Sequence, residues 1–251
     1  MLNRSRTPEL DVGATTAAAT LKHCLEGLSL HPHYAQVVAR ACEQQWSPGE
    51  CLGLLRRIVG EPQLAPMVKR YQDALLSNCA KGVLASFAPI PTAGSRSSSH
   101  LTVRLPRNEV LHFEIESEQA SFPALYHVSA NVHAKTTVLL PQLCPDAPYG
   151  RPDSELGPVD DSMEGSFGSC ACVCAAPSIE ACLRSIAGYS PSLKSANGQL
   201  SAFILRRDGF FSADNMMILD AESTAEMRSF ELVPAQRIGV VRWRRARFGE
   251  E

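Results

Sequence analysis

The 251 residues predict an α+β protein: an N-terminal bundle of about four helices followed by an antiparallel β-rich domain. Apolar residues recur at the helical period through the first ninety positions, and at a period of two beyond about residue 100. Between them lies Thr92-Ala93-Gly94-Ser95-Arg96-Ser97-Ser98-Ser99, small, polar and aperiodic, which reads as a linker. The expected division is therefore a helical interaction module over residues 10–90 and a β-rich domain over 100–248. The latter is expected to carry an acidic loop (145–169) and one short helix.

Within the first part, Leu21, Cys24, Leu25 and Leu28 stand at i, i+3, i+4 and i+7. Tyr34, Val37, Val38 and Ala41 repeat the spacing after Pro32, a residue suited to a first helical turn. Ser47-Pro48-Gly49-Glu50 is a capping box that opens a helix with an apolar face of Cys51, Leu54, Leu55 and Ile58. Gly60 fits the left-handed residue that ends it. Glu61-Pro62 then opens a helix carrying Leu64, Met67, Val68, Tyr71 and Leu75 on one face.

In the second part, Leu101, Val103 and Leu105 alternate with polar neighbours, as do Leu111, Phe113 and Ile115. Tyr126 to Ala134 continues the alternation and reads as strand, broken near Asn131. Residues 144–169 are rich in Pro, Gly and Asp, with an acidic run from Asp153 to Glu164. A short helix is expected around Ile179–Ile186. Strands are then expected at Ala202–Leu205, Met216–Leu219, Phe230–Val233 and Ile238–Trp243, with Asp208-Gly209 as a hairpin-type turn.

Composition narrows the function. The 24 Lys and Arg against 26 Asp and Glu give a net charge of −2, which excludes a wholesale polyanion binder. No apolar run reaches the roughly 18–20 residues that span a bilayer, and the N-terminus has no apolar signal core. Nine cysteines, an odd number without a secretory signal, point to reduced thiols. The chain is accordingly expected inside the cell, in the nucleus or cytoplasm, with no membrane partner. Cys24, Cys42, Cys51 and Cys79 fall at helical spacing among apolar residues and read as small core hydrophobes.

The stretch from Glu50 to Leu64 contains Leu54, Leu55, Arg57, Ile58, Val59, Gly60, Glu61 and Leu64, with Val68 beyond. This pattern resembles the RST domain, a helical module named after plant radical-induced-cell-death proteins, their SRO relatives and a subunit of TFIID. The resemblance covers residues 20–78. Cys51 or Leu52 stands where that family often has an aromatic, Pro62 interrupts the run after the glycine, and the module is N-terminal here. The resemblance implies a docking domain for short disordered segments of transcription regulators. The peptide-binding residues expected on this basis are Arg56, Arg57, Ile58, Val59, Leu64, Lys69, Arg70 and Tyr71, with the four cations forming a basic rim around an apolar groove.

Three other constellations carry less. Cys170, Cys172, Cys174 and Cys182 are close enough for soft-metal ligation, but Cys-x-Cys-x-Cys lacks the second pair of a structural zinc site. A thiol nucleophile needs a base, and His100, His112, His127 and His133 are available, yet no motif ties a Cys to a His. Arg242, Trp243, Arg244, Arg245 and Arg247 mix cations with an aromatic in the manner of nucleic-acid contacts, but a solvated strand end explains them more simply. No phosphate-cradling Gly-rich loop is present. The residues thus favour a non-catalytic adaptor whose partners are proteins with short disordered acidic-apolar motifs. Nucleic acid is disfavoured and no cofactor is expected. The alternatives are a thiol- or metal-dependent enzyme carried by the β-rich domain, or a structural subunit of a larger complex.

Overall fold

Prolines and a capping serine punctuate the first half of the chain, and helices begin where they stand. A computed structural model describes residues 11–59, 61–105, 108–130, 134–143, 171–188, 193, 198–212 and 226–247. Helix α1 spans Asp11–Leu25, α2 Pro32–Glu43, α3 Pro48–Ile58 and α4 Glu61–Ala85. The capping box is formed: Glu50 N–H donates to Ser47 Oγ (3.4 Å) and Ser47 N–H donates back to Glu50 Oε2 (2.8 Å). Such a cap contributes about 1 kcal/mol. Val59 follows α3 in an extended conformation. The expected terminator Gly60 lies outside the described residues, as do 144–170 and the expected strand at Met216–Leu219.

Two helix boundaries differ from expectation. Helix α1 stops at Leu25, two residues before Gly27 takes a φ of +85°, so Leu28 leaves the apolar face and is 43% exposed. Helix α4 continues well past Leu75 and runs through Pro66, which has no N–H to offer the Pro62 carbonyl.

The chain divides into two units. The first comprises Met1–Ser86, Val138–Val173 and Ser229–Val233; the second comprises Phe87–Thr137, Cys174–Arg228 and Pro234–Glu251. The core of the first unit is Leu21, Cys24, Leu52, Leu54, Leu55, Tyr71 and Leu75 from the helices, together with Val138, Ala171 and Leu232. These last residues are held by backbone. Gly49 N–H donates to the Phe230 carbonyl (2.9 Å), and Ala171 N–H donates to the Gly49 carbonyl (3.1 Å). Gln142 and Cys172 form an antiparallel bridge, and Gln72 Nε2 donates to the Pro141 carbonyl (3.2 Å).

The remaining elements are β1 (Thr92–Leu105), β2 (Glu109–Ala120), β3 (Leu125–Ser129), β4 (Thr136–Leu139), β5 (Val173–Ala175), α5 (Ile179–Gly188), β6 (Gln199–Leu205), β7 (Phe211–Ser212), β8 (Met227–Ser229) and β9 (Val233–Arg247). The main sheet runs β1-β2-β9-β6-β3, with β4 also paired to β9, and a small sheet runs β5-β8-β7. All the main-sheet pairs with an assigned register are antiparallel. One face buries Leu101, Leu111, Phe113, Ile115, Leu200, Ala202, Ile204 and Val241 with Ile179, Cys182 and Leu183 of α5.

The expected linker 92–99 is strand. Its residues are mostly exposed, so no alternation marks it, and pairing with the far end of β2 supplies the order instead. The alternating run 126–134 yields only β3, with 131–133 outside the described residues. The strand expected at Phe230–Val233 instead falls at Met227–Ser229, and the last strand lengthens to Val233–Arg247. Asp208-Gly209 does turn the chain, with Gly209 at φ +75°, but the flanking β6 and β7 join different sheets.

Candidate functional site

Where α3 hands over to α4, the chain leaves apolar side chains incompletely covered. Ile58, Leu64, Met67 and Val68 are all half-buried. Leu64, Met67 and Val68 stand at i, i+3 and i+4, one face of the first turns of α4. Val59 and Tyr71, from the same expected set, lie inside the core. Tyr71 is fully buried and its hydroxyl donates to the Ala17 carbonyl at 3.2 Å.

Arg56 and Arg57 occupy the last turn of α3 and are half-buried, whereas Lys69 and Arg70 are exposed on α4. Lys69 Nζ is 2.9 Å from Asp73 Oδ2 in an exposed ion pair, worth about 0.3–0.5 kcal/mol at this i,i+4 spacing. Met67 and Val68, placed with Leu64 on the apolar face of this helix, are partly buried and pack against the core of the first unit.

Of the expected thiol cluster, Cys172, Cys174 and Cys182 are described. No disulfide joins the seven described cysteines, and Cys170 lies outside the described residues. Cys174 is exposed, and Cys172 is buried. Cys182 Sγ donates to the Tyr126 carbonyl at 3.0 Å, and burial pushes its pKa up to about 12. A thiol so held is neutral near pH 7 and no nucleophile. His127 Nδ1 donates to the Cys174 carbonyl (2.8 Å), and burial lowers its pKa. Among the described residues no three His, Cys, Asp or Glu side chains are grouped to hold a metal ion.

Burial of thiols has a consequence for stability. Desolvation raises Cys24, Cys51, Cys79 and Cys182, and it raises Tyr71 well above 10.0. The unfolded chain releases these protons first, so the stability carried by the neutral groups is complete below about pH 9 and falls as pH rises toward 12. The urea midpoint is expected to drop between about pH 9 and 10.5, and Cys182→Ala to flatten the slope. A midpoint constant over that range would mean the thiols are open to water.

The arginine-rich stretch lies on β9, whose register runs against β2 as far as Arg247 and against β6 only as far as Arg242. Arg242 Nη1 meets Glu116 Oε1 at 2.7 Å, and Arg245 Nη1 is 3.6 Å from Glu109 Oε2. Trp243 is half-buried against the core of the second unit, and Arg244 faces His112 across the sheet. Two of these arginines are thus already neutralised by carboxylates. One buried ion pair had no sequence signal: Arg228 Nε donates to Glu226 Oε1 (2.8 Å), with Ser185 Oγ 3.4 Å from the other oxygen.

Among the described residues no helix is long and apolar enough to cross a membrane. No protein-family model, curated protein or solved structure matches the chain.

Proposed function

We propose that this chain is a protein-interaction adaptor whose helical unit docks short segments combining acidic and apolar residues. The observation that carries the reading is the set of half-buried apolar residues around the α3–α4 junction, Ile58, Leu64, Met67 and Val68, with Arg56, Arg57, Lys69 and Arg70 adjacent to them in sequence. Between positions 56 and 73 the sequence holds those four cations against only Glu61 and Asp73, and Lys69 already pairs with Asp73. An amphipathic helix with an acidic flank complements both properties: apolar anchors cover the apolar residues, and carboxylates meet the cations. Transcription regulators are the partner class implied by the RST-like segment.

The test is titration of the full chain with an acidic amphipathic peptide, followed by amide chemical shifts. Saturable shifts are expected around Arg57–Val68. Joint Arg57→Glu and Arg70→Glu reversal is expected to weaken binding about tenfold, roughly 1.4 kcal/mol, with the loss shrinking as salt rises. Unchanged affinity for every acidic peptide after reversal removes this reading.

A further inference from the structure

We propose that the outer edge of β1 accepts one more antiparallel strand: an extended segment of a partner protein in which apolar residues alternate with acids. The surface lies in the second unit and is independent of the α3–α4 junction.

Strand β1 is terminal in the order β1-β2-β9-β6-β3, and among the described residues no strand pairs with its other side. From Arg96 to Leu105 its register against β2 is unbroken, Arg96 opposite Glu118 and Leu105 opposite Glu109. At about 3.4 Å per residue these ten residues present an edge of roughly 34 Å. Edges of that length normally carry protecting devices such as a bulge, a proline, charged side chains or a covering helix or loop, and on β1 the charges are Arg96 and Arg104. The one irregularity of β1 falls between Thr92 and Arg96, and the regular stretch contains neither Pro nor Lys. Alternate backbone N–H and C=O groups along such an edge point away from the sheet and can template a partner.

Side chains then say which partner. Leu101, Val103 and Leu105 share the core-side face; Leu101 is buried, but Val103 and Leu105 are only half-buried, as at a rim that continues outward. On the opposite face Arg96, His100 and Arg104 recur every fourth residue and are exposed; Arg96 and His100 stand opposite Glu118 and Glu114 of β2 on one side, and β1 itself contains no Asp or Glu. An added antiparallel strand places its own alternate residues opposite these two sets. Apolar side chains extend the core rim, and carboxylates spaced by four meet the basic positions. A second copy of β1 fits worse, because it would bring no acid to either face.

The probe is the nonapeptide Glu-Val-Thr-Val-Glu-Val-Thr-Val-Glu, blocked at both ends, whose acids stand opposite Arg104, His100 and Arg96 in antiparallel register. Titrated into the full chain, it is expected to give saturable amide shifts confined to β1 and its immediate neighbours, and to slow hydrogen exchange at alternate β1 amides. A version N-methylated at every second residue on its hydrogen-bonding edge is expected to lose binding at least tenfold. Arg96→Gln with His100→Gln is expected to weaken the parent peptide by a similar factor, with the sheet's own amide spectrum preserved. Shifts confined to Ile58–Val68, binding that survives N-methylation, or no saturation each overturns the proposal. So does sedimentation that shows a chain dimer protecting β1 without peptide. None of these outcomes touches the helical-unit reading except the first, which supports it.

Discussion

Gly49→Ala is expected to destabilise the protein by about 3 kcal/mol, the upper range for forcing one carbon into packed structure. Helix propensity alone argues the opposite, since alanine is better than glycine inside a helix by about 1 kcal/mol. The sign is set by what the new methyl group meets. A Cβ built at Gly49 runs into the Ala171 carbonyl oxygen and lies 3.1 Å from the Phe230 Cβ. Neither neighbour can swing aside: Ala171 and Phe230 are the two residues whose backbones bond Gly49. The clash therefore breaks the hydrogen bonds that fasten the 171 and 230 segments to the start of α3. Gly82→Ala is the control, because a Cβ there meets nothing within 4 Å on an exposed turn of α4. It is expected to raise stability by about 0.5–1 kcal/mol. Chemical denaturation of the two variants checks both signs, and a stabilising Gly49→Ala would sink the packing argument.

Gly239→Ala is expected to have an effect of the same order, about 3 kcal/mol, through a different unit of structure. Gly239 lies on β9 opposite Ser117 of β2, and its added Cβ would strike the Glu116 carbonyl oxygen and sit 2.7 Å from Ser117 Cα. Backbone atoms on the neighbouring strand have no rotamer to change, so the strands must part. Arg242 and Glu116 are held by this same pair of strands, and their ion pair is expected to loosen with it. The check is denaturation together with hydrogen exchange along β2 and β9. Native exchange at Glu114–Ser117 in the variant would show that the sheet absorbs the carbon.

What could be read in advance was whatever neighbouring residues decide among themselves. Ser47 and Glu50 are three positions apart, and their capping box formed as spelled out; Pro32, Pro48 and Pro62 marked helix starts for the same reason. The alternation Leu111-His112-Phe113-Glu114-Ile115 gave β2 because one face is core and the other water. Residues 92–99 gave no such signal. Their order comes from β2, about twenty residues away, and both of their faces are polar. The central position of β9 was equally hidden, because a run of arginines looks like a solvated end until Glu109 and Glu116 stand beside it. At the candidate site the charges at Arg56, Arg57, Lys69 and Arg70 were plain. Which apolar neighbours stay partly open depended on distant packing, and Tyr71 proved to be core.

The helical unit is stitched from three lengths of chain, and this matters while the protein is being made. Its four helices leave the ribosome before Ala171 and Leu232, which belong to the same core, and the carbonyl of Phe230 bonds the start of α3. That carbonyl is translated long after the last of the four helices, which ends at Ala85. The nascent helices must therefore wait until residues 230–232 have emerged, with part of their apolar surface uncovered. Chaperone engagement with the nascent helices is expected to persist until the Ser229–Val233 segment emerges.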